Sequence, residues 1–216
     1  MMLNRAPGVY RAQSDTEVLI DVMQRGGYAE GRHVLDVGTG SGAIALAAAR
    51  AGAASVTAVD LSARSVAAAR LNARLAGLDI DIRRGDLFAP LTGRRFDLVV
   101  SNPPYVPAAT DRLPRHTRAR CWDAGVDGRT LIDRICAGAA DVLTPDGQIL
   151  LVHSALCGTQ ATVDALGDAG FVPSVLSRVT IPFGPVMQGR AAMLEQRGLI
   201  AEGERFEELV VVSGMR

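Results

Sequence analysis

Asn102, Pro103, Pro104 and Tyr105 stand in a row directly behind the apolar run at residues 96–100. Proline has no N–H and fixes its own φ, so the pair ends a strand and holds the neighbouring carbonyls in set directions. An asparagine amide beside such a rigid point is suited to gripping a planar –NH2 group. The nitrogen of an amide or an aromatic amine is a poor nucleophile because its lone pair is delocalised. Acceptors on both N–H bonds, the side-chain oxygen of Asn102 and the backbone carbonyl of Pro103, would leave one direction free to point at an electrophile. Tyr105 is placed to stack on a flat substrate group. Such a site works by orientation and by acceptors matched to developing charge. The alternative reading is an ordinary proline-containing turn.

A second constellation lies upstream, in VLDVGTGSG at residues 34–42. Gly38, Gly40 and Gly42, with Thr39 among them, let the backbone turn tightly and approach a ligand, and the helix behind them offers free N–H groups. A glycine loop alone is equally compatible with a nicotinamide cofactor or with a mere strand-to-helix turn. Two acids narrow it. Asp36 precedes the first glycine by two residues, and Asp60 closes the next strand, where it can accept from both hydroxyls of a ribose; Leu61 follows it. A third acid, Asp86, follows the next strand and can accept from an adenine amino group while Leu87 covers a base face. Acids at successive strand ends suit an adenosine lying across the edge where open α/β sheets bind ligands.

These residues need a sheet to carry them. Apolar runs HVLDVG, SVTAVD, DIDIRRGD, FDLVVS and GQILLVHS read as strands and alternate with the helical patterns GAIALAAARAG, SARSVAAARLNARLAG, GRTLIDRICAGAADVL and TQATVDALGDAG. Ser14 with Glu17 has capping-box spacing and predicts a helix start. The tail adds strands SVLSRVTI and ELVVVSG with helical RAAMLEQRG between them. This alternation predicts an α/β fold with a parallel sheet covered on both faces. With no repeat or linker, residues 1–216 read as one domain: a helical lead-in at 1–30 and a helical insert at 185–204 before the last strand.

The formal net charge is zero and all 23 basic residues are arginine, so no global pull toward nucleic acid exists. Neither a signal peptide nor a membrane span is legible. Cys121, Cys136 and Cys157 form no CxxC pair, which reads as free thiols in a reducing cytoplasm. His116 and His153 lack metal-ligand spacing, so no metal is expected. Arg112, Arg115, Arg118 and Arg120 crowd the loop after Tyr105; it reads either as a grip on phosphates or an acidic protein face, or as a solvated loop. Trp122 is expected to pack on the helix that follows.

Taken together, the glycine loop, AVD, GDLF and NPPY resemble a class I S-adenosylmethionine-dependent methyltransferase. NPPY is typical of members that methylate planar nitrogen. GVYRAQSDTEVL at residues 8–19 resembles the opening of the HemK/PrmC-like release factor glutamine methyltransferases, nearest their short archaeal and eukaryotic branch without an N-terminal helical domain. The resemblance implies a Rossmann-like, seven-stranded, mostly parallel sheet with an antiparallel last strand. It implies S-adenosyl-L-methionine as methyl donor, S-adenosyl-L-homocysteine as product, and cofactor contacts from Thr16, Asp36, Gly38, Asp60, Asp86, Leu87 and Asn102. A release factor is the implied protein substrate, and a small activator subunit is a feature of the branch. Gln13 and Ser14 depart from the branch's usual Ala-Glu, and the insert at 185–204 is longer than expected. Two other readings stay open: an adenine-N6 or guanine-N2 methyltransferase acting on RNA or DNA, and a non-catalytic Rossmann-like binding module.

Overall fold

Strand alternation decides which side chains meet which helices. The structure, a computed structural model, describes residues 14–112, 114 and 118–216; the stretch 8–13, Arg115 and His116 lie outside them. The strands are β1 (His33–Val37), β2 (Ser55–Asp60), β3 (Asp81–Arg84), β4 (Phe96–Ser101), β5 (Leu143–Ser154), β6 (Val172–Pro182) and β7 (Phe206–Met215). They form one sheet in the order β3-β2-β1-β4-β5-β7-β6. β1 to β5 run parallel, while β7 is antiparallel to both β5 and β6. The expected α/β sheet with a reversed last strand is present.

Along β1, Val34 turns to one face and Leu35 and Val37 to the other. The first face is covered by α1 (Ser14–Arg25), α2 (Ala43–Arg50) and α3 (Ala63–Ala76), through Leu19 and Met23, the alanine-rich side of α2, and Val66, Ala69 and Ala73. The second is covered by α4 (Thr130–Ala139), α5 (Thr159–Asp168) and α6 (Pro185–Gln196), through Ile132, Ile135, Leu166, Met187 and Leu194. Ser62 caps α3 by accepting from the N–H of Ser65 at 3.4 Å, and Gly77 ends it in a left-handed turn.

Two elements differ from the sequence pattern. The helix expected to run to residue 143 ends at Ala139, and Leu143 instead pairs with Phe96 at the start of a longer β5. Pro145 cannot extend a helix, and the pairing shifts from Phe96–Leu143 to Leu98–Gln148, so the TPDG stretch bulges out of the ladder. α6 starts ahead of the RAAMLEQRG pattern, at the first residue of the helical insert, with Pro185 in its first turn, where a missing N–H costs nothing.

The sheet holds its functional edge rigid. Ser101 Oγ donates to the Val37 carbonyl at 2.7 Å, tying the exits of β4 and β1 together. Gly128, at φ +76°, lets the chain pass so close to Tyr105 that an added Cβ would lie 2.3 Å from the Tyr105 carbonyl oxygen. We expect Gly128→Ala to cost more than the ~1–2 kcal/mol of a left-handed alanine, read as a lowered urea midpoint with an unchanged slope.

Candidate active site

The glycine loop follows β1 and forms the floor of a cavity of about 550 Å³ at the C-terminal ends of the parallel strands. The N–H groups of Gly38 and Thr39 donate to the Val59 carbonyl at 2.9 and 3.0 Å, which pins the loop to β2. Asp60 ties it from the side: Oδ2 accepts from the N–H of Gly40 at 2.9 Å and Oδ1 from that of Ser62 at 2.8 Å. Burial raises the Asp60 pKa above the ordinary value against the pull of these bonds. Thr16, Gly38, Thr39, Gly40, Asp60, Leu61, Asp86, Leu87 and Asn102 all line this cavity.

Asp36 and Gly42 do not line it. Asp36 is fully buried behind the loop, where Oδ2 accepts from Thr39 Oγ1 at 2.6 Å and from the Ala45 N–H at 3.1 Å. Its Oδ1 has no partner among the described residues. Burial pushes its pKa up to about 7, with the nearby Asp60 adding to the rise. Asp36 therefore shapes the loop from beneath. Gly42 packs against α3, where a Cβ would sit 3.2 Å from Ala69 Cβ. Asp86 is half-exposed and already receives Arg134 Nη2 at 2.8 Å. Leu87 is the sole non-glycine with positive φ among the described residues, at 47°. Such a conformation costs about 1–3 kcal/mol and persists only where surroundings impose it.

A smaller cavity, about 70 Å³, opens on the other side of the proline pair. Asp15, Asn102, Pro103, Pro104, Tyr105 and Glu207 are among its walls, and it meets the larger one at Asn102, Pro104 and Cys121. Tyr105 is 8% exposed and its hydroxyl donates to Asp15 Oδ2 at 3.0 Å. The expected stacking platform is thus a buried wall whose phenol is anchored. Thr16 Oγ1 accepts from Asn102 Nδ2 at 3.0 Å and donates to Asp15 Oδ1 at 3.4 Å. With the amide nitrogen held there, Asn102 Oδ1 is the end left for a ligand.

The methyltransferase small domain family matches residues 1–116. A relative from Methanocaldococcus jannaschii, named as a protein N5-glutamine methyltransferase, is 31% identical over 181 residues, which is 84% of this chain and 90% of the relative. The chain belongs to this methyltransferase family. A release factor glutamine methyltransferase of Deinococcus radiodurans is 46% identical over 123 residues, but the matched region is only 55% of this chain and 44% of that protein. Among solved structures, the E. cuniculi Mtq2–Trm112 complex, described as methylating the eRF1 termination factor, shares the fold with a TM-score of 0.67 at 23% identity, covering 97% of this chain and 99% of that one. The chain is accordingly an S-adenosylmethionine-dependent N-methyltransferase.

In this methyltransferase the insert before the last strand is a clamp on the segment after Tyr105. Arg190 of α6 donates to the Pro107 carbonyl at 2.6 Å and pairs with Asp123. Arg197 donates to the carbonyls of Ala108 at 3.0 Å and Val126 at 2.7 Å. Trp122 lines the small cavity and packs on the core beneath α4. Arg84, Arg112, Arg120 and Arg134 line the large cavity. His153 is fully buried at the end of β5, and burial lowers its pKa to about 4, so it stays neutral. Burial pushes Cys136 and Cys157 up to about 11 and 12, which makes both poor nucleophiles.

Asp15, Glu207, Arg190 and Arg197 were not singled out from the sequence as site residues. They come from distant segments, and no spacing rule links them to Asn102. Thr16→Val keeps the side-chain shape but removes the acceptor from Asn102 Nδ2. We expect kcat to fall on the order of tenfold, as for one lost hydrogen bond, with a smaller change in cofactor Kd. For Asp36 the native pKa of about 7 lies above the ordinary 3.8. The native state then binds a proton that the unfolded chain releases, so this group's contribution falls as pH rises through that window. Asp36→Asn removes this dependence. Relative to the variant, wild type should be more stable at pH 5 than at pH 8, read from denaturant midpoints.

Proposed function

We propose that this methyltransferase transfers a methyl group to the N5 nitrogen of a glutamine side chain, in a translation release factor, as one catalytic domain. The observation that carries the reading is the meeting of a large and a small cavity at Asn102 and Pro104. One holds a donor and the other an acceptor, and Asn102, its amide nitrogen bonded to Thr16, stands in the wall they share.

The large cavity fits S-adenosylmethionine. A Cβ built at Gly38 or Gly40 would meet nothing within 4 Å, so the backbone there opens onto the space rather than onto protein. Its volume lies within the range of small-molecule sites. Gly38, Gly40, Asp60, Asp86 and Leu87 would hold the donor, which when bound supplies an electrophilic methyl carbon. No metal is part of this reading.

The small cavity suits a side-chain carboxamide. At about 10–15 Å³ for each water position, it has room for roughly five to seven. That accommodates an amide and its methylene, and is tight for a bicyclic purine. Asn102 Oδ1 and the Pro103 carbonyl accept from the two amide hydrogens. Both are fixed before substrate arrives, by Thr16 and by the proline rings, so little reorganisation remains. The glutamine named in the archaeal and Deinococcus relatives supports the same acceptor. A small partner subunit belongs to the proposal too, on the analogy of Mtq2, which was solved with Trm112. A cytoplasmic setting accords with three free cysteines; among the described residues, no helix is long and apolar enough to cross a membrane. The arginines lining the large cavity favour an anionic partner, which keeps the RNA or DNA reading as the rival.

Labelled methyl transfer from S-adenosylmethionine in cell extract, with nuclease and protease arms, tests the acceptor. Label should vanish with protease and map to glutamine; label lost only with nuclease would overturn the reading. Asn102→Ala should lower kcat roughly a hundred- to thousandfold, the effect of losing one acceptor at developing charge (about 2.7–4 kcal/mol). S-adenosylhomocysteine affinity should hold.

A further inference from the structure

One buried acid in the small cavity has no part in holding the methyl donor. Glu207 lies at the start of β7, paired with Ile181 of the edge strand β6. It is only 6% exposed, and its Oε2 has no hydrogen-bond partner among the described residues. A buried polar atom left unpaired is costly, and a fold keeps one where a ligand completes it. Glu207 shares the walls of that cavity with Asn102, Pro103 and Tyr105.

The chemistry of the proposed reaction leaves a gap there. An amide nitrogen that gains a methyl group must lose a proton. Asn102 and the Pro103 carbonyl can orient the two N–H bonds, but an amide oxygen does not keep a proton at neutral pH. A carboxylate does. Tyr105 cannot serve in its place, because its hydroxyl already donates to Asp15.

We propose that Glu207 is the proton acceptor of the methyl transfer. The inference rests on the glutamine reading above. The N–C bond forms as the methyl–sulfur bond breaks, and that pair of electrons stays on sulfur. One N–H bond then breaks, its electrons remain on nitrogen, and the proton passes to Glu207 Oε2.

The surroundings tune the group for this task. Burial raises the Glu207 pKa to about 7, a hydrogen bond from Ser154 of β5 opposes the rise, and Asp15 of α1 adds to it by charge repulsion. Among the described residues, Cys157, in the short turn after β5, also feels the Glu207 charge, which helps to raise its pKa. The wall from β6 and α6 is Ile181, Pro182, Val186 and Met187, none of which ionises. On its own strand, Glu208 is engaged by Arg178. An acid balanced near neutrality can both take the proton and release it.

Wild type, Glu207→Gln and Glu207→Asp should be compared on a release-factor glutamine substrate from pH 5.5 to 9, at saturating S-adenosylmethionine. Because Glu207 must be ionised to accept, wild-type kcat should rise with pH through about 7 and then level. Glu207→Gln should lose that limb and fall about a hundredfold, within the usual span for acid–base groups. Glu207→Asp should keep the limb at a reduced rate. Two readouts stand apart from turnover: S-adenosylhomocysteine affinity should stay within about twofold in both variants, and of the two infrared carboxylic C=O bands that titrate near neutrality, from Asp36 and Glu207, one should be missing from Glu207→Gln while the Asp36 band, identified by its loss in Asp36→Asn, remains. An active wild type with a Glu207→Gln variant of equal rate and pH profile overturns this role and leaves the glutamine reading standing. A wild type that does not methylate glutamine overturns both.

Discussion

A carboxylate accepts hydrogen bonds and does not donate them, and at Asp15 that constraint travels through two further residues to the reacting end of the site. Asp15 receives the N–H and hydroxyl of Thr16 and the hydroxyl of Tyr105. With its proton committed to Asp15, the Thr16 oxygen is free to accept, and it takes the Asn102 –NH2 group. The direction of the Asn102 amide is thereby set from α1, an element that contributes nothing to the sheet. Reversal of the Thr16–Asn102 link would turn the Asn102 –NH2 outward, a donor facing an –NH2 group that offers only donors.

Around this chain the fold separates two tasks. The strand ends and glycine loop form a broad cavity in which backbone N–H groups and acids do the work. The proline pair and β7 form a narrow one with acceptors and carboxyls. The wall between them is Asn102 and Pro104, and it is stiff for several independent reasons. Ser101 is bonded back to β1, Gly128 lets the chain press against Tyr105, and α6 grips the following segment through Arg190 and Arg197. Leu87 carries backbone strain on the donor side of the wall. Rigidity of this kind is what an orientation mechanism requires, since small displacements of an acceptor cost rate steeply.

What could be read from the sequence is what local geometry demands. Gly38 and Gly40 announce a turn that only glycine makes easily, and Pro103 and Pro104 announce a fixed exit from β4. The strands were legible from their apolar runs, including the last, ELVVVSG. Asp36 shows the limit of such reading. Strand alternation places it on the opposite face from Leu35 and Val37, yet whether the loop closes over it depends on the Thr39 and Ala45 bonds, which no pattern encodes. Tyr105 is similar: its type suggests stacking, and only the fold brings Asp15 to its hydroxyl. Glu207 and the contacts of Arg190 and Arg197 were opaque because their partners lie far away in the chain. Pro145 explains the misplaced end of α4, where a helical pattern ran on into residues that the sheet claimed.

β7 lies between β5 and β6, and β6 precedes it in the chain. During synthesis β5 and β6 emerge first; β5 can pair with β4, but β6 cannot take its native place until the later strand arrives between them. The large cavity is lined by residues between 16 and 134, whereas the wall of the small one that bears Glu207 comes from residues 206–215. A nascent chain can therefore assemble its glycine loop well before the small cavity is complete. The ribosome thus imposes an order on the two half-sites, and competence to react arrives only with the closing of the sheet.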